Sequence, residues 1–294
     1  MNALPKTDPM PSLLPTESRP VRTQFLLFTL FGDHVMPRGG KIWTGSLICL
    51  MDLLGVSERA VRSTLSRMTR KNWLASERYG RNSQYALTSK GRDLLEKGGA
   101  RIFENIFTNW DGYWQMVIYS LPEKKRRKRH ILRSQLTWLG FGCLAPGTWI
   151  CPHDRRVELE WLFTELGVSA HADMFSGHYL GPADVQELVQ RCWDLGDLET
   201  QYRDFIGRYQ PEYEAARDAQ LRSHSSKDCF LRRICMTHEF QSYPLKDPNL
   251  PIGLLSPDWI GFRARKLFHA YHGLLGKKAN QFVDDVMNAE GRPS

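Results

Sequence analysis

No two of the six cysteines (Cys49, Cys143, Cys151, Cys192, Cys229 and Cys235) stand in CxxC spacing. With no signal peptide ahead of them, they are read as reduced thiols in a cytoplasmic protein. "CPHD" (151–154) and "CFLRRICMTHE" (229–239) hold cysteine and histidine, but neither matches a zinc-finger spacing, so no metal site is expected. No apolar stretch is long enough to span a membrane: the longest, "IWTGSLICLMDLLGV", is broken by Asp52. Nucleophile elbow, P-loop and dinucleotide fingerprint are all missing, which removes the usual marks of hydrolases, NTPases and dehydrogenases. One further scarcity is local. The stretch "GVSERAVRSTLSRMTRKNWL" (55–74) contains a single acid, Glu58.

What is present starts with 294 residues, enough for two or three domains with cores of their own. The net charge of +8 is unevenly placed. Residues 21–100 carry 13 Lys+Arg against 6 Asp+Glu, residues 101–150 carry 8 against 3, and residues 151–294 carry 17 against 21. A basic front and a mildly acidic back suggest that a polyanion is bound at the front. Residues 1–20, with five prolines and no apolar run, are expected to be a disordered leader.

"TQFLLFTLFG" (23–32) reads as a buried helix ending at Gly32, "MPRGGK" as a loop, and "IWTGSLICLMDLL" as a second helix. Gly55 and Val56 form a tight turn, Ser57 is a good helix N-cap, and Glu58 suits the positive end of the helix dipole. Helix, short turn, helix is the helix-turn-helix pattern. At about 100° per residue, Val61, Leu65 and Met68 share one face, and Arg59, Arg62, Ser63, Ser66, Arg67 and Arg70 fall opposite within about 140°. Long cationic donors and short hydroxyls with no carboxylate among them suit a helix lying in the DNA major groove. The plainer reading is a solvated face. "WLASERYGRNSQYAL" reads as a hairpin whose turn presents Arg78, Arg81 and Asn82 to backbone phosphates, and Thr88 caps a further helix, "TSKGRDLLEKG".

The middle alternates: a strand in 113–123, a helix over 124–142 with a very basic first half, a strand with a turn in 143–152, a helix over 155–167 and a strand in 171–180. This suggests a small ferredoxin-like sheet. Residues 184–222 and 256–286 read as mostly helical, joined through the proline-rich "YPLKDPNLPIG". The expected fold is therefore α+β: a winged helix-turn-helix (21–100), a ferredoxin-like domain (110–182) and a helical C-terminal domain (183–294).

"RGGKIWTGSLICLMDLLGVSERAVRSTLSRMTRKNWLASERYGRNSQYALTSKGRDLL", "LGFGCLAPGTWICP" and "HEFQSYPLKDPNLPIGLLSPDWIGFRARKLFHAYH" resemble, in this order, the PaaX family of bacterial transcriptional repressors. The resemblance implies the same three-part protein. It further implies repression of phenylacetic acid catabolic operons through palindromic promoter operators, with release by phenylacetyl-CoA or a related acyl-CoA, and a homodimer. It implies no enzyme activity and no cofactor. Carried over by position, the reader is the helix 57–71 and the wing is 78–84.

The basic run "KKRRKRH" has three readings: a solvated helix start, extra DNA phosphate contacts, or a cradle for the phosphates of a CoA-type effector. The third makes Lys124, Lys125, Arg126, Arg127 and Arg129 candidate effector contacts. Trp138 and Trp149, and also Trp161, would be candidate stacking partners unless they are core. The middle domain also resembles the CRISPR-associated ferredoxin-like nucleases, in which an aspartate follows the tyrosine at the end of the first strand. Here Ser120 follows Tyr119, and a hydroxyl cannot replace a carboxylate on a hard metal. Asp111 and Glu123 keep a metal-dependent nucleic-acid enzyme as the alternative.

Overall fold

The apolar residues of "TQFLLFTLF" recur at helical spacing, and in the computed structural model Leu26, Leu27 and Leu30 have no solvent exposure on α1 (Arg19–Leu30). The structure describes residues 19–80, 82–103, 109–219, 221–243 and 247–290. Residues 1–18 of the expected leader lie outside them, and Arg19 and Pro20 already belong to α1. The chain is an α+β protein that folds as two units assembled from distant segments. One holds Met1–Ala100, Glu212–Phe240 and Phe268–Ser294; the other holds Arg101–Pro211 and Gln241–Leu267. Residues 183–294, expected as a single helical part, contribute to both.

In the first unit α1 does not stop at Gly32. A wider helical turn, Phe31–Val35, carries the chain through it. β1 (Lys41–Trp43) follows, where the start of a second helix was expected. It pairs antiparallel with β3, Ile42 opposite Tyr85. Three residues are too few to carry a strand period, and only the distant partner makes this segment extended. α2 (Thr44–Asp52) and α3 (Glu58–Arg70) meet at a turn where Gly55 takes φ +73°, a backbone that disfavours a side chain. β2 (Leu74–Tyr79) and β3 (Asn82–Leu87) form the hairpin, and the sheet order is β1-β3-β2. α4 (Ser89–Phe103) starts against the hairpin. Thr88 Oγ1 accepts from Gly91 N (3.0 Å) and donates to Asn72 O (2.7 Å). A Cβ on Gly91 would collide with the Trp73 carbonyl.

The second unit contains β4 (Trp114–Tyr119), α5 (Arg126–Trp138), β5 (Gly142–Ala145), β6 (Thr148–Cys151), α6 (Arg156–Leu166) and β7 (Ala172–Gly177). The sheet order is β5-β6-β4-β7, every neighbour antiparallel. Both helices lie on one face. Leu132 and Leu136 of α5, with Leu159, Leu162 and Phe163 of α6, pack on Val117, Tyr119, Trp149 and Cys151. α7 (Val185–Cys192) leads to Trp193, which lies over Gly142 on the opposite face and donates its indole N–H to Gly140 O (3.2 Å). α8 (Leu195–Asp218) begins here and holds Tyr202, whose hydroxyl donates to buried Asp247 (2.7 Å). Asp247 also accepts from Asn249 N (2.8 Å), and Asn249 O contacts His153 Nε2 (2.8 Å). The segment around 247–251, which looks like a linker, is thus an internal strut of this unit.

α9 (Ser226–Phe240) and the later part of α10 (Ile260–Glu290) complete the first unit. α9 is the segment the sequence singled out only for its cysteines and histidine. Its Arg233 and the His272 of α10 converge on Asp33 in the wide turn after α1: Arg233 Nε donates at 2.9 Å and His272 Nε2 lies 3.0 Å from the carboxylate. Burial alone would raise the Asp33 pKa, but the His272 and Arg233 hydrogen bonds outweigh it and hold the carboxyl well below its ordinary range. His34 is fully buried beside it, and burial pushes its pKa down to about 4.

Candidate nucleic-acid interface

α3 packs against α1 and α2 through Val61, Thr64, Leu65 and Met68, all buried. That fixes which way its other side points. Ser57 caps the helix, its Oγ accepting from Ala60 N (3.4 Å); its hydroxyl proton remains available as a donor. Arg59, Arg62, Ser63, Ser66 and Arg70 are exposed and Arg67 is half-buried, so the six residues share one outward side. Arg62 Nε donates to Glu58 (2.7 Å), an exposed i,i+4 pair of little strength that a phosphate could displace. Arg67 Nη2 donates to Thr64 Oγ1 (2.8 Å), which lays its guanidinium along the helix. Arg59 and Arg70 form no ion pair among the described residues.

In the hairpin Arg78 is exposed, its Nε donating to Gly80 O (3.3 Å). Asn82 opens β3 opposite Tyr79, exposed as well. Arg81, expected at the turn, lies outside the described residues. Lys71 was passed over by the sequence reading. It sits one residue past α3 with its ammonium 4.4 Å from the centre of the Trp73 ring, adding a cation at the foot of the basic face. Its position in the quoted stretch was the available signal.

The expected effector residues do not converge. Lys124 and Lys125 lie just before α5 and Arg126, Arg127 and Arg129 in its first turn, Arg129 Nη2 donating to Glu123 (2.6 Å). Trp138 is at the far end of this helix, about 18 Å away at 1.5 Å per residue. Trp149 points into the sheet core and is 5% exposed, so no ligand can stack on it without opening the core. Trp161, by contrast, stands in solvent on α6. Elsewhere in this unit a cleft of about 670 Å³ lies along α7, the start of α8 and residues 254–259, edged by Arg191, Trp193, Arg203 and Trp259.

Nor do the acids of the nuclease alternative meet. Asp111 Oδ1 accepts from Tyr113 N (3.0 Å) before β4, and Glu123 holds Arg129 after it, with roughly 17 Å of strand between. Ser120 N donates to His171 O (3.0 Å). Among the described residues no three His, Cys, Asp or Glu side chains are grouped to hold a metal ion. Burial pushes the Cys151 thiol up to about 12. No described helix is long and apolar enough to cross a membrane.

Three family models match in chain order: "PaaX-like protein" over residues 22–91, "PaaX protein central Cas2-like domain" over 108–189, and "PaaX-like protein C-terminal domain" over 193–285. The chain is also 31% identical over 269 residues to the "Transcriptional repressor PaaX" of Escherichia coli strain K12, covering 90% of this chain and 84% of that protein. The chain belongs to the PaaX family. α3 and the hairpin lie within the first PaaX match, and α5 and α6 within the central one. A solved structure, the uncharacterized protein Rv0674 from Mycobacterium tuberculosis, is similar in fold, with a TM-score of 0.55 and 23% identity over 82% of this chain and 89% of that one.

Proposed function

We propose that this chain is a DNA-binding transcriptional repressor of phenylacetic acid catabolism. In this reading the first unit presents a winged helix-turn-helix: α3 enters the major groove and the β2–β3 hairpin lies on backbone phosphates. One observation carries it. The outward side of α3 holds four arginines and two serines, and its only carboxylate is Glu58 at the extreme N-terminus. The family membership and the E. coli repressor support the same assignment.

The protein works in the cytoplasm as a homodimer on a palindromic operator, two α3 helices sitting one helical turn of DNA apart. Phosphate contacts dominate its affinity and make it salt-sensitive. An acyl-CoA ester such as phenylacetyl-CoA favours a conformation that no longer fits that spacing. A hundredfold release needs only about 2.7 kcal/mol of coupling. The cleft beside Trp193 and Trp259 has a volume in the range of ligand sites and an aromatic edge for such an ester; Asp194 and Asp258 also line it and Arg203 is held by Glu199 (2.8 Å), so Arg191 is its cation for a phosphate. The middle domain is ferredoxin-like and has no nuclease role.

The test is a gel shift on the promoter upstream of the chain's own gene and on phenylacetate-catabolic promoters, with phenylacetyl-CoA and free phenylacetate titrated separately. Binding abolished by the CoA ester alone supports reader and ligand together. Binding indifferent to both keeps the repressor and moves the effector to another acyl-CoA. No binding by folded protein overturns the reading.

A further inference from the structure

We propose that the second unit carries a further small-molecule site, at one end of its sheet, and that this site takes a free α-amino acid with a flat apolar side chain. The site is separate from the cleft beside Trp193 and from the outward side of α3, and it depends on neither assignment. A cleft of about 400 Å³ lies between the start of β4, the end of β7 and the 152–156 turn that leads into α6. That volume is at the small end of the range for ligand sites, which suits a molecule of amino-acid size and not a CoA ester.

Gln115 is only 8% exposed, yet it lines this cleft. Its side-chain oxygen accepts from Arg155 N (2.7 Å). A backbone N–H can only donate, so this bond fixes the amide: the oxygen faces Arg155 and the amino group faces the other way. That Nε2 has no hydrogen-bond partner among the described residues, and it is not sealed inside the core. An amide donor on a buried side chain is costly to leave unpaired, so the cleft calls for an acceptor. Ser176 stands opposite Gln115 in the β4–β7 ladder, so the two share a face, and its hydroxyl is also without a partner among the described residues. Together they present donors to one acceptor oxygen.

Asp111 makes the opposite demand. One of its oxygens accepts from Tyr113 N (3.0 Å), and the other has no partner among the described residues. The remaining charges of the cleft cancel. Asp154 Oδ1 accepts from Arg156 N (3.0 Å), and its Oδ2 lies 3.8 Å from the Arg156 guanidinium. His153 adds no charge: its Nε2 contacts Asn249 O (2.8 Å), and burial holds its pKa below the ordinary value. Asp111 is therefore unbalanced and calls for a cation. It is anchored at Tyr113, two residues and about 7 Å of extended chain before Gln115. An ammonium at Asp111 and a carboxylate oxygen at Gln115 and Ser176 is the pattern of an α-amino acid, whose two charged groups hang from one carbon. Tyr113, Pro152 and Met174 supply apolar walls, and the Tyr113 ring is braced by His178, ring centres 4.2 Å apart. A flat side chain packs against such a ring. A metal ion fits worse, because Gln115 would turn its N–H groups toward it and a hard cation needs several oxygens.

The experiment is isothermal titration of the full chain, without DNA, with L-phenylalanine and then with the other standard amino acids. One saturable site per chain is expected for L-phenylalanine. Phenethylamine, which lacks the carboxylate, and 3-phenylpropanoate, which lacks the amine, are each expected to bind at least about tenfold more weakly. Asp111→Asn keeps an acceptor for Tyr113 N and removes the charge; it is expected to weaken binding at least about tenfold and to leave the melting temperature unchanged. Gln115→Glu keeps the acceptor for Arg155 N and turns the donor into a second acceptor, so binding should be lost. If that buried change unfolds the chain, Ser176→Ala, an exposed change, replaces it and is expected to weaken binding severalfold. Three results overturn the site: no saturable binding of any amino acid, phenethylamine or 3-phenylpropanoate binding as well as L-phenylalanine, or an affinity that Asp111→Asn leaves unchanged. Adenosine binding where the amino acids do not would reassign the cleft to a nucleoside and overturn the proposal as well. No DNA enters the measurement, so its failure leaves the repressor reading standing, and a failed gel shift leaves this site standing.

Discussion

α3 and α5 are both helices of 13 residues, and each carries four arginines. Read as charge alone they are equivalent, and α5 with Lys128 is the more basic. Their surroundings separate them. The arginines of α3 share their outward side with two serines, and a hairpin arginine follows them in the chain. Three of the four in α5 crowd one end of a helix whose neighbour, α6, exposes Glu160, Glu165 and a tryptophan. Short hydroxyls beside a basic face suit the approach of a nucleic acid, whereas acids beside it repel one. A basic run therefore acquires meaning from what the fold sets next to it.

The largest expected effect breaks the equivalence directly. Replacing Arg59, Arg62, Arg67 and Arg70 by alanine is expected to lower operator affinity at least ~100-fold, since each base or phosphate interaction contributes roughly 1–3 kcal/mol. The salt dependence of binding should flatten with it, by about 0.9 for each phosphate that is no longer neutralised. The matching alanine set on α5 is expected to leave the affinity and salt slope for an isolated half-site unchanged. Equal losses from the two sets, read by fluorescence anisotropy over a salt series, would erase the distinction between the helices.

A third arginine sharpens it from the other direction. Arg233 is 7% exposed and its work is internal: it neutralises Asp33 between α1 and α9. Arg233→Met leaves that carboxylate buried with His272 as its remaining strong partner. The expected cost is about 3–5 kcal/mol, visible as a marked fall in melting temperature. An α3 arginine removed singly should move the melting temperature hardly at all. Asp33 also sets an acid limit. Its carboxyl is held low in the fold, so its contribution is complete above the ordinary value of 3.8 and is lost as the pH falls below it.

The sequence made much of this legible, and the misses have a common cause. Ser57, the helix after it, and the opposition of Val61, Leu65 and Met68 to the arginines follow from periodicity and capping, both local. The strands and helices of the sheet domain were readable for the same reason. β1 was not, because it is extended only through its pairing with β3. α9 was not, because it is buried on nearly every side and shows no amphipathic period; its Cys229 and Cys235 fill space. Trp149 and Trp161 were indistinguishable as letters, yet one is core and the other stands in solvent. The Asp33 cluster joins residues some 200 positions apart, and only the folded chain brings them together.

His34 gives a smaller effect, measured over a narrow range. Burial, with Arg233, Arg38 and His272 around it, outweighs the pull of Asp33 and keeps the imidazole neutral down to about pH 4, whereas the unfolded chain protonates it near 6.5. Unfolding therefore takes up a proton between these values, and stability declines as the pH falls from about 6.5 to about 4. His34→Gln is expected to flatten that part of a melting-temperature profile while leaving the Asp33 decline below it. An unchanged slope would mean that another group titrates there.

The smallest effect tests the comparison at its most exposed point. Glu58 is the one acid on α3, and it holds Arg62 at 2.7 Å. If an acid beside a basic face works against DNA, then Glu58→Gln should free Arg62 and tighten operator binding. The pair is solvent-exposed on both sides, so the gain is bounded at under about 1 kcal/mol, roughly fivefold. Part of it is offset because Glu58 also favours the helix start, and a slightly lower melting temperature should accompany the tighter binding. The two readouts move in opposite directions, which separates a contact with DNA from a change in the helix. Weaker binding with unchanged stability would instead place Glu58 itself at a base edge, accepting from a cytosine amine, and α3 would then read sequence with its acid as well as with its arginines.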